Sequence, residues 1–195
     1  MLLYNIAKFI ANVIFRLVFF IDVKGKKNIP KEGRIILCFN HISNLDPVIL
    51  GMSLPRQIHY MAKKELFQNK ILGKIVRMLG AFPVDRKSAD LSAIRAALKV
   101  LKNEGCLGIF PEGTRVREEK IDNAKPGIAL ISIKGKAPIV PIFIKSKYKP
   151  FSRVTIIIGE PMYLNEFDGK KLSTDEYKAL SQKIMKTIYS LKNKY

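Results

Sequence analysis

The chain has no tryptophan, only two cysteines and only two histidines among 195 residues. Cys38 and Cys106 each sit inside an apolar run, which excludes a disulfide-built scaffold and reads as two buried thiols on separate strands. There is no Cys-x-x-Cys pair and no histidine cluster, so no metal ligand is assigned. The lack of tryptophan, of an aromatic platform and of any recognised motif speaks against a nucleic-acid-binding module. Acidic residues are scarce as well: 16 against 35 Lys and Arg, a formal net charge of +19. That surplus asks for an anionic partner, whether nucleic acid, anionic lipid, an acidic carrier protein or a phosphorylated substrate. No low-complexity linker or internal repeat divides the chain. With 48% hydrophobic residues there is material for one real core but not two.

Residues Leu2 to Ile21 are nearly all apolar, interrupted by Asn5, Lys8, Asn12 and Arg16. At about 100° per residue these four fall within an arc of roughly 80°. A cleaved signal peptide wants its charges ahead of the apolar stretch and small residues behind it, and neither is present. A spanning helix would hold Lys8 near the hydrocarbon. A helix lying in the interface, polar stripe toward the headgroups and apolar face among the acyl chains, fits best; an ordinary core helix with a solvent stripe is the plainer alternative. Leu66–Leu79 repeats the theme, with Lys70, Lys74 and Arg77 on one face of a basic amphipathic helix. The Lys/Arg excess favours the cytoplasmic side of a membrane. The expected organisation is therefore a membrane-associated N-terminal helix over residues 1–21 and a single domain over 22–195.

Within that domain short apolar runs alternate with helical patterns. Ile35–Phe39, His59–Ala62, Ala81–Val84, Cys106–Phe110, Ile139–Ile144 and Arg153–Gly159 read as strands. Helices are expected from about Pro47, over Ala89–Asn103 with Ala93, Ile94, Ala97, Leu98 and Leu101 on one face, over Pro126–Lys134 and over Leu172–Lys192. The alternation predicts an α/β fold, a mixed and mostly buried sheet flanked by helices.

Four segments past strand ends carry candidate chemistry. Asn40-His41-Ile42-Ser43-Asn44-Leu45-Asp46-Pro47 places a histidine and a carboxylate around a strand-to-helix turn. Asp46 is a natural helix cap with Pro47 at the first helical position. Alternatively it orients His41 as a general base, and the two roles are compatible. Gly80–Arg86 ends in an arginine beyond a short strand. Phe110-Pro111-Glu112-Gly113-Thr114-Arg115 sets a carboxylate, a glycine and an arginine past another, and Val140-Pro141-Ile142 lies within a third. Singly these read as a solvated arginine, a turn and an edge-strand proline. Clefts in α/β sheets nevertheless form beyond strand ends, where Arg86 and Arg115 could grip a phosphate with forked hydrogen bonds.

Together and in this order the four segments resemble the glycerolipid acyltransferase family, most of all its bacterial 1-acyl-glycerol-3-phosphate acyltransferases. The resemblance spans Asn40 to Ile142; Pro83-Val84 stands where a more aliphatic pair is usual. It implies that His41 is the general base and Asp46 its partner. It assigns Arg86 to the substrate phosphate, and Glu112, Gly113, Thr114 and Arg115 to the glycerol phosphate. Lys64, in Met-Ala-Lys-Lys-Glu-Leu-Phe, resembles a member of a basic pair and joins that pocket. Val140 and Pro141 are implied in acyl-chain or donor binding. The implied partners are lysophosphatidic acid, acyl-coenzyme A or acyl carrier protein and an anionic membrane surface, with no cofactor. Rival readings are a relative acting on another lysolipid, a hydrolase with Ser43 as nucleophile, for which the Gly-x-Ser-x-Gly elbow is missing, and a basic nucleic-acid-binding protein.

Overall fold

The computed structural model describes residues 2–85, 91–116 and 118–194, leaving aside the side chains of Leu2 and Leu3. In chain order the elements are α1 (Leu2–Val18), β1 (Phe20–Lys24), β2 (Ile35–Phe39), α2 (Asp46–Ser53), β3 (Ile58–Lys63), α3 (Lys70–Met78) and β4 (Phe82–Val84). There follow α4 (Leu91–Lys102), β5 (Cys106–Ile109), α5 (Gly127–Gly135), β6 (Ile139–Ser146), β7 (Arg153–Ile158) and α6 (Thr174–Ser190). The strands form one seven-stranded sheet in the order β1-β7-β6-β2-β5-β3-β4. All neighbours are parallel except β6 and β7, so the sheet is mixed.

β2 lies at the centre, and all five of its residues are buried, as an unbroken Ile-Ile-Leu-Cys-Phe run requires when both faces are covered. Alternation sends Ile35, Leu37 and Phe39 to the face packed by α1 and α2. Ile36 and Cys38 go to the face packed by α4, α5 and α6. Cys38 and Cys106 are buried, unbridged thiols on adjacent strands. Burial raises both pKa values, that of Cys106 to about 12. On α4, Ala93, Ala97 and Leu101 are buried, with Ile94 and Leu98 packed beside the core. Ser173 and Glu176 start α6 with a reciprocal capping box.

Three local expectations need correction. The middle of the polar stripe of α1 turns inward, with Asn5 and Arg16 left exposed: the Lys8 ammonium donates to Leu54 O, and Asn12 Nδ2 donates to Met52 O at 3.4 Å. These are carbonyls at the C-terminal end of α2, where unpaired acceptors and the negative end of the helix dipole draw a cation inward. Tyr4, Ala11, Phe15 and Val18 turn toward the core, while the remaining described large apolar residues of α1 face out, Phe9 being 70% and Leu17 72% exposed. No helix among the described residues is long and apolar enough to cross a membrane. The segment 66–79 is not one helix: a 3-10 turn (Lys64–Phe67) precedes α3, whose cap is Asn69, accepting from Ile71 and Leu72 N–H at 3.0 and 2.9 Å. Finally, Pro141 lies on an interior strand rather than an edge. Its missing donor falls where the β6–β7 ladder ends, and Gly159 N–H donates to its carbonyl at 2.8 Å.

Candidate active site

β2, β5, β3 and β4 run parallel, so their C-terminal ends share one edge of the sheet. His41 follows β2 there, Phe110 to Arg115 follow β5, and Lys64 and Asp85 follow β3 and β4. The exit of β2 is fixed by Asn40. Its side chain donates to Ile144 O at 3.0 Å and accepts from Ile144 N–H at 2.7 Å, imitating a peptide of the neighbouring strand.

His41 Nδ1 lies 2.8 Å from Asp46 Oδ2. A carboxylate only accepts, so Nδ1 carries the hydrogen, and in the neutral imidazole Nε2 keeps its lone pair. Nε2 has no partner among the described residues. Asp46 is completely buried, and its Oδ2 also accepts from the N–H groups of Ile42 and Ser43, both at 2.8 Å. Oδ1 accepts from the Tyr148 hydroxyl at 2.6 Å. The carboxylate thus turns back into the loop before it and does not cap α2, which begins without a side-chain cap. The capping expectation gives way because four donors converge on this one group. Burial, then the charge of Asp46 and the hydrogen bond to it, raise the Tyr148 phenol well above its ordinary value.

The imidazole is stacked on Phe110, centroids 4.2 Å apart at 29°. Phe110 in turn meets Phe39 at 5.3 Å and Tyr60 at 6.3 Å. Gly108 makes that stack possible, since a Cβ there would come within 2.8 Å of the Tyr60 ring.

The loop after β5 brackets the His41 backbone. Glu112 Oε2 accepts from His41 N–H at 2.8 Å, while Val116 N–H donates to His41 O at 2.9 Å. Oε1 accepts from the Tyr189 hydroxyl on α6. Glu112 is only 2% exposed. Burial pushes its pKa from 4.5 up to about 7, with the charge of Asp46 adding and the two hydrogen bonds opposing. Gly113, at φ +67°, closes the turn with its N–H on Phe110 O at 3.0 Å. Thr114 and Arg115 are exposed just beyond it. Lys64 is paired with Asp85, and Arg86 lies outside the described residues.

The structure therefore brings together His41, Asp46 and Glu112, with Gly113, Thr114, Arg115 and Lys64 along the same edge. Val140 is fully buried on β6, facing α2. Pro141 borders a separate cavity of about 530 Å³ with Met162 and Leu191. Ser43 Oγ accepts from Leu45 N–H at 3.2 Å and forms no hydrogen bond with the imidazole among the described residues, which removes support for a Ser43 nucleophile. Among the described residues no group of three or more His, Cys, Asp or Glu could hold a metal. Tyr148 and Tyr189 went unforeseen. Tyr189 carries the spacing of an ordinary core aromatic, and Tyr148 lies in a loop without any pattern.

The acyltransferase family profile matches residues 20–145. A protein of Bacillus subtilis (strain 168) named 1-acyl-sn-glycerol-3-phosphate acyltransferase is 38% identical over 202 aligned residues, covering 96% of this chain and 97% of that one. One of the same name from Streptococcus pneumoniae is 33% identical, over 79% of this chain and 59% of that one. In three dimensions the chain is similar to the crystal structure of the 1-acyl-sn-glycerophosphate (LPA) acyltransferase of Thermotoga maritima. The TM-score is 0.75 at 24% identity, over 98% of this chain and 80% of that one, a likeness of fold.

Proposed function

This chain belongs to the acyltransferase family, and from that premise we propose that it moves a fatty acyl group from a thioester to the sn-2 hydroxyl of 1-acyl-sn-glycerol-3-phosphate, yielding phosphatidic acid. The names carried by the Bacillus and Streptococcus relatives support the substrate. The observation that carries the chemistry is the 2.8 Å approach of Asp46 Oδ2 to His41 Nδ1, with Nε2 left to act.

Nε2 takes the hydroxyl proton as the oxygen attacks the thioester carbonyl, and Asp46 stabilises the imidazolium that results. The tetrahedral adduct then expels the thiolate, which the imidazolium protonates, so base and substrates return to balance. A free hydroxyl is a poor nucleophile at neutral pH, and general-base help of this kind contributes about 10²–10⁴-fold. Glu112 contributes from behind, by holding the His41 backbone. Arg115, Lys64 and Arg86 are the cations proposed for the acceptor phosphate, with Gly113 and Thr114 forming the turn that presents Arg115. The fourth motif's share in acyl or donor binding rests on the cavity that Pro141 borders. Val140, wholly inside the core, contributes packing to the strand.

We place the enzyme on the cytoplasmic face of a membrane, held by the outward face of α1. Phe9, Ile10, Ile14, Leu17 and Phe20 on and just beyond that helix are exposed, as an interfacial helix with its apolar side in lipid would have them. Exposed Ile71 and Ile75 on α3, interleaved with Lys70, Lys74 and Arg77, add an apolar and cationic contact. The donor is acyl-coenzyme A or acyl carrier protein. Transfer onto lysophosphatidate vesicles, with the two donors run side by side, tests the reading. His41→Ala should lose at least about 10²-fold in kcat while still binding vesicles; transfer at the wild-type rate would end the proposal.

A further inference from the structure

Tyr148 belongs to the loop joining β6 to β7, and its backbone is left-handed at φ +49°. A bulky side chain rarely adopts that conformation unless its surroundings hold it. The holding groups are visible. Ser146 Oγ accepts from Tyr148 N–H at 2.9 Å, and the hydroxyl donates to Asp46 Oδ1 at 2.6 Å. The ring packs edge-on against Phe19, centroids 5.9 Å apart at 89°. Phe19 lies between α1 and β1 and is stacked on Phe15 of α1 at 6.1 Å. Two main-chain bonds tie the same loop to the same junction, Phe151 N–H to Val18 O at 2.7 Å and Phe20 N–H to Ser152 O at 3.1 Å.

The two oxygens of Asp46 are unequally held. Oδ2 faces the imidazole and two main-chain N–H groups within the loop that precedes α2. Oδ1 faces the phenol of Tyr148, from a loop 102 residues further along the chain. With that phenol gone, the carboxylate plane could rock about its bond to Cβ, and the imidazole with it. We propose that Tyr148 is a positioning residue for the His41–Asp46 pair, and that through Phe19 it makes the alignment of that pair depend on how α1 is seated. This rests on the reading of His41 as general base. The hydroxyl acts through Asp46 and touches neither substrate. The junction that carries α1 onto lipid is thus one ring away from the group that orients the base.

The test is Tyr148→Phe in the full chain, assayed on lysophosphatidate vesicles across pH, with His41→Ala as control. The ring and its packing on Phe19 remain, so the fold should be kept, as a thermal melt will report. A hydrogen bond to a charged group is worth about tenfold to hundredfold, and that loss should fall on kcat with KM for the acceptor nearly unchanged. Without the hydroxyl dipole, more of the Asp46 charge faces the imidazole and favours its protonated form, so the acid limb of the kcat/KM profile should move to higher pH. Glu112 and Tyr60, the other titratable groups acting electrostatically at Asp46, are untouched by the change. Phe19→Leu, which keeps the hydroxyl but loosens the ring, should produce a smaller loss of the same kind. A Tyr148→Phe enzyme with wild-type kcat overturns the proposal, and so does a fall in kcat with the acid limb unmoved. If Tyr148→Phe fails to fold, Phe19→Leu decides in the same way. An active His41→Ala would instead remove the general-base reading itself.

Discussion

Replacing Glu112 with Gln isolates a charge that the fold confines. Both carboxylate oxygens are committed within the protein, to His41 N–H and to the Tyr189 hydroxyl, and the side chain is buried. Burial lifts its pKa from 4.5 to about 7. A carboxyl that holds its proton more tightly in the folded state makes its full contribution to stability below about pH 4.5, and that contribution is lost as pH rises through about 7. The difference between the two values corresponds to about 3 kcal/mol. Glutamine keeps an oxygen to accept from His41 N–H and has an N–H to offer Tyr189, but it cannot ionise. The variant and the wild type should therefore unfold alike near pH 4.5. By pH 8 the variant should be the more stable by about 3 kcal/mol, a difference in Tm on the order of 5–10 °C for a domain of this size. Urea unfolding of the detergent-solubilised chain at a series of pH values reads the gap directly. A gap that is constant with pH, or one that widens toward acid, would refute the argument that burial dominates at Glu112.

Two further outcomes follow from the geometry. Asp46→Asn leaves too few acceptors for the four donors that converge on the site, so kcat should fall about 10²–10⁴-fold, with about 1–3 kcal/mol of stability lost; wild-type turnover would show that orientation of the imidazole does not matter. Phe9→Asp and Leu17→Asp alter exposed positions on α1, so each should leave the melting curve nearly unchanged while removing about 1.5–3 kcal/mol of apolar burial in lipid. Co-sedimentation with anionic vesicles measures the loss, and undiminished binding by both variants would sink the interfacial role of α1.

What the sequence revealed was what short-range pattern can encode. β2 and β5 are unbroken apolar runs, and α4 carries its core stripe at helical spacing, so each was legible from neighbouring residues alone. β1 was not: Phe-Ile-Asp-Val-Lys has charges at alternate positions, and it is a strand because β7, some 130 residues later, offers it a parallel partner. The stripe of α1 was legible but its direction was not. Nothing near Lys8 announces that the carbonyls of Met52 and Leu54 will lie beneath it. Within the site, His41, Asp46 and Glu112 stood out through their motifs. Tyr148 and Tyr189 could not, because each reaches its carboxylate oxygen across the fold, from a part of the chain far from the motif it serves. Local rules also misplaced the Asp46 carboxylate, which a cap preference sends forward and the convergence of four donors sends back.

The side chain of Asn40 replaces one rung of main chain between β2 and β6. Because an amide on a side chain closes the seam, the backbone itself is released to swing away at once, without unzipping the strands behind it. The base thus follows directly on the central strand, with the loop after β5 clasping its main chain from the other side. Much of the freedom left to it lies in its own side-chain torsions, and those are restrained by a ring below and a carboxylate beside.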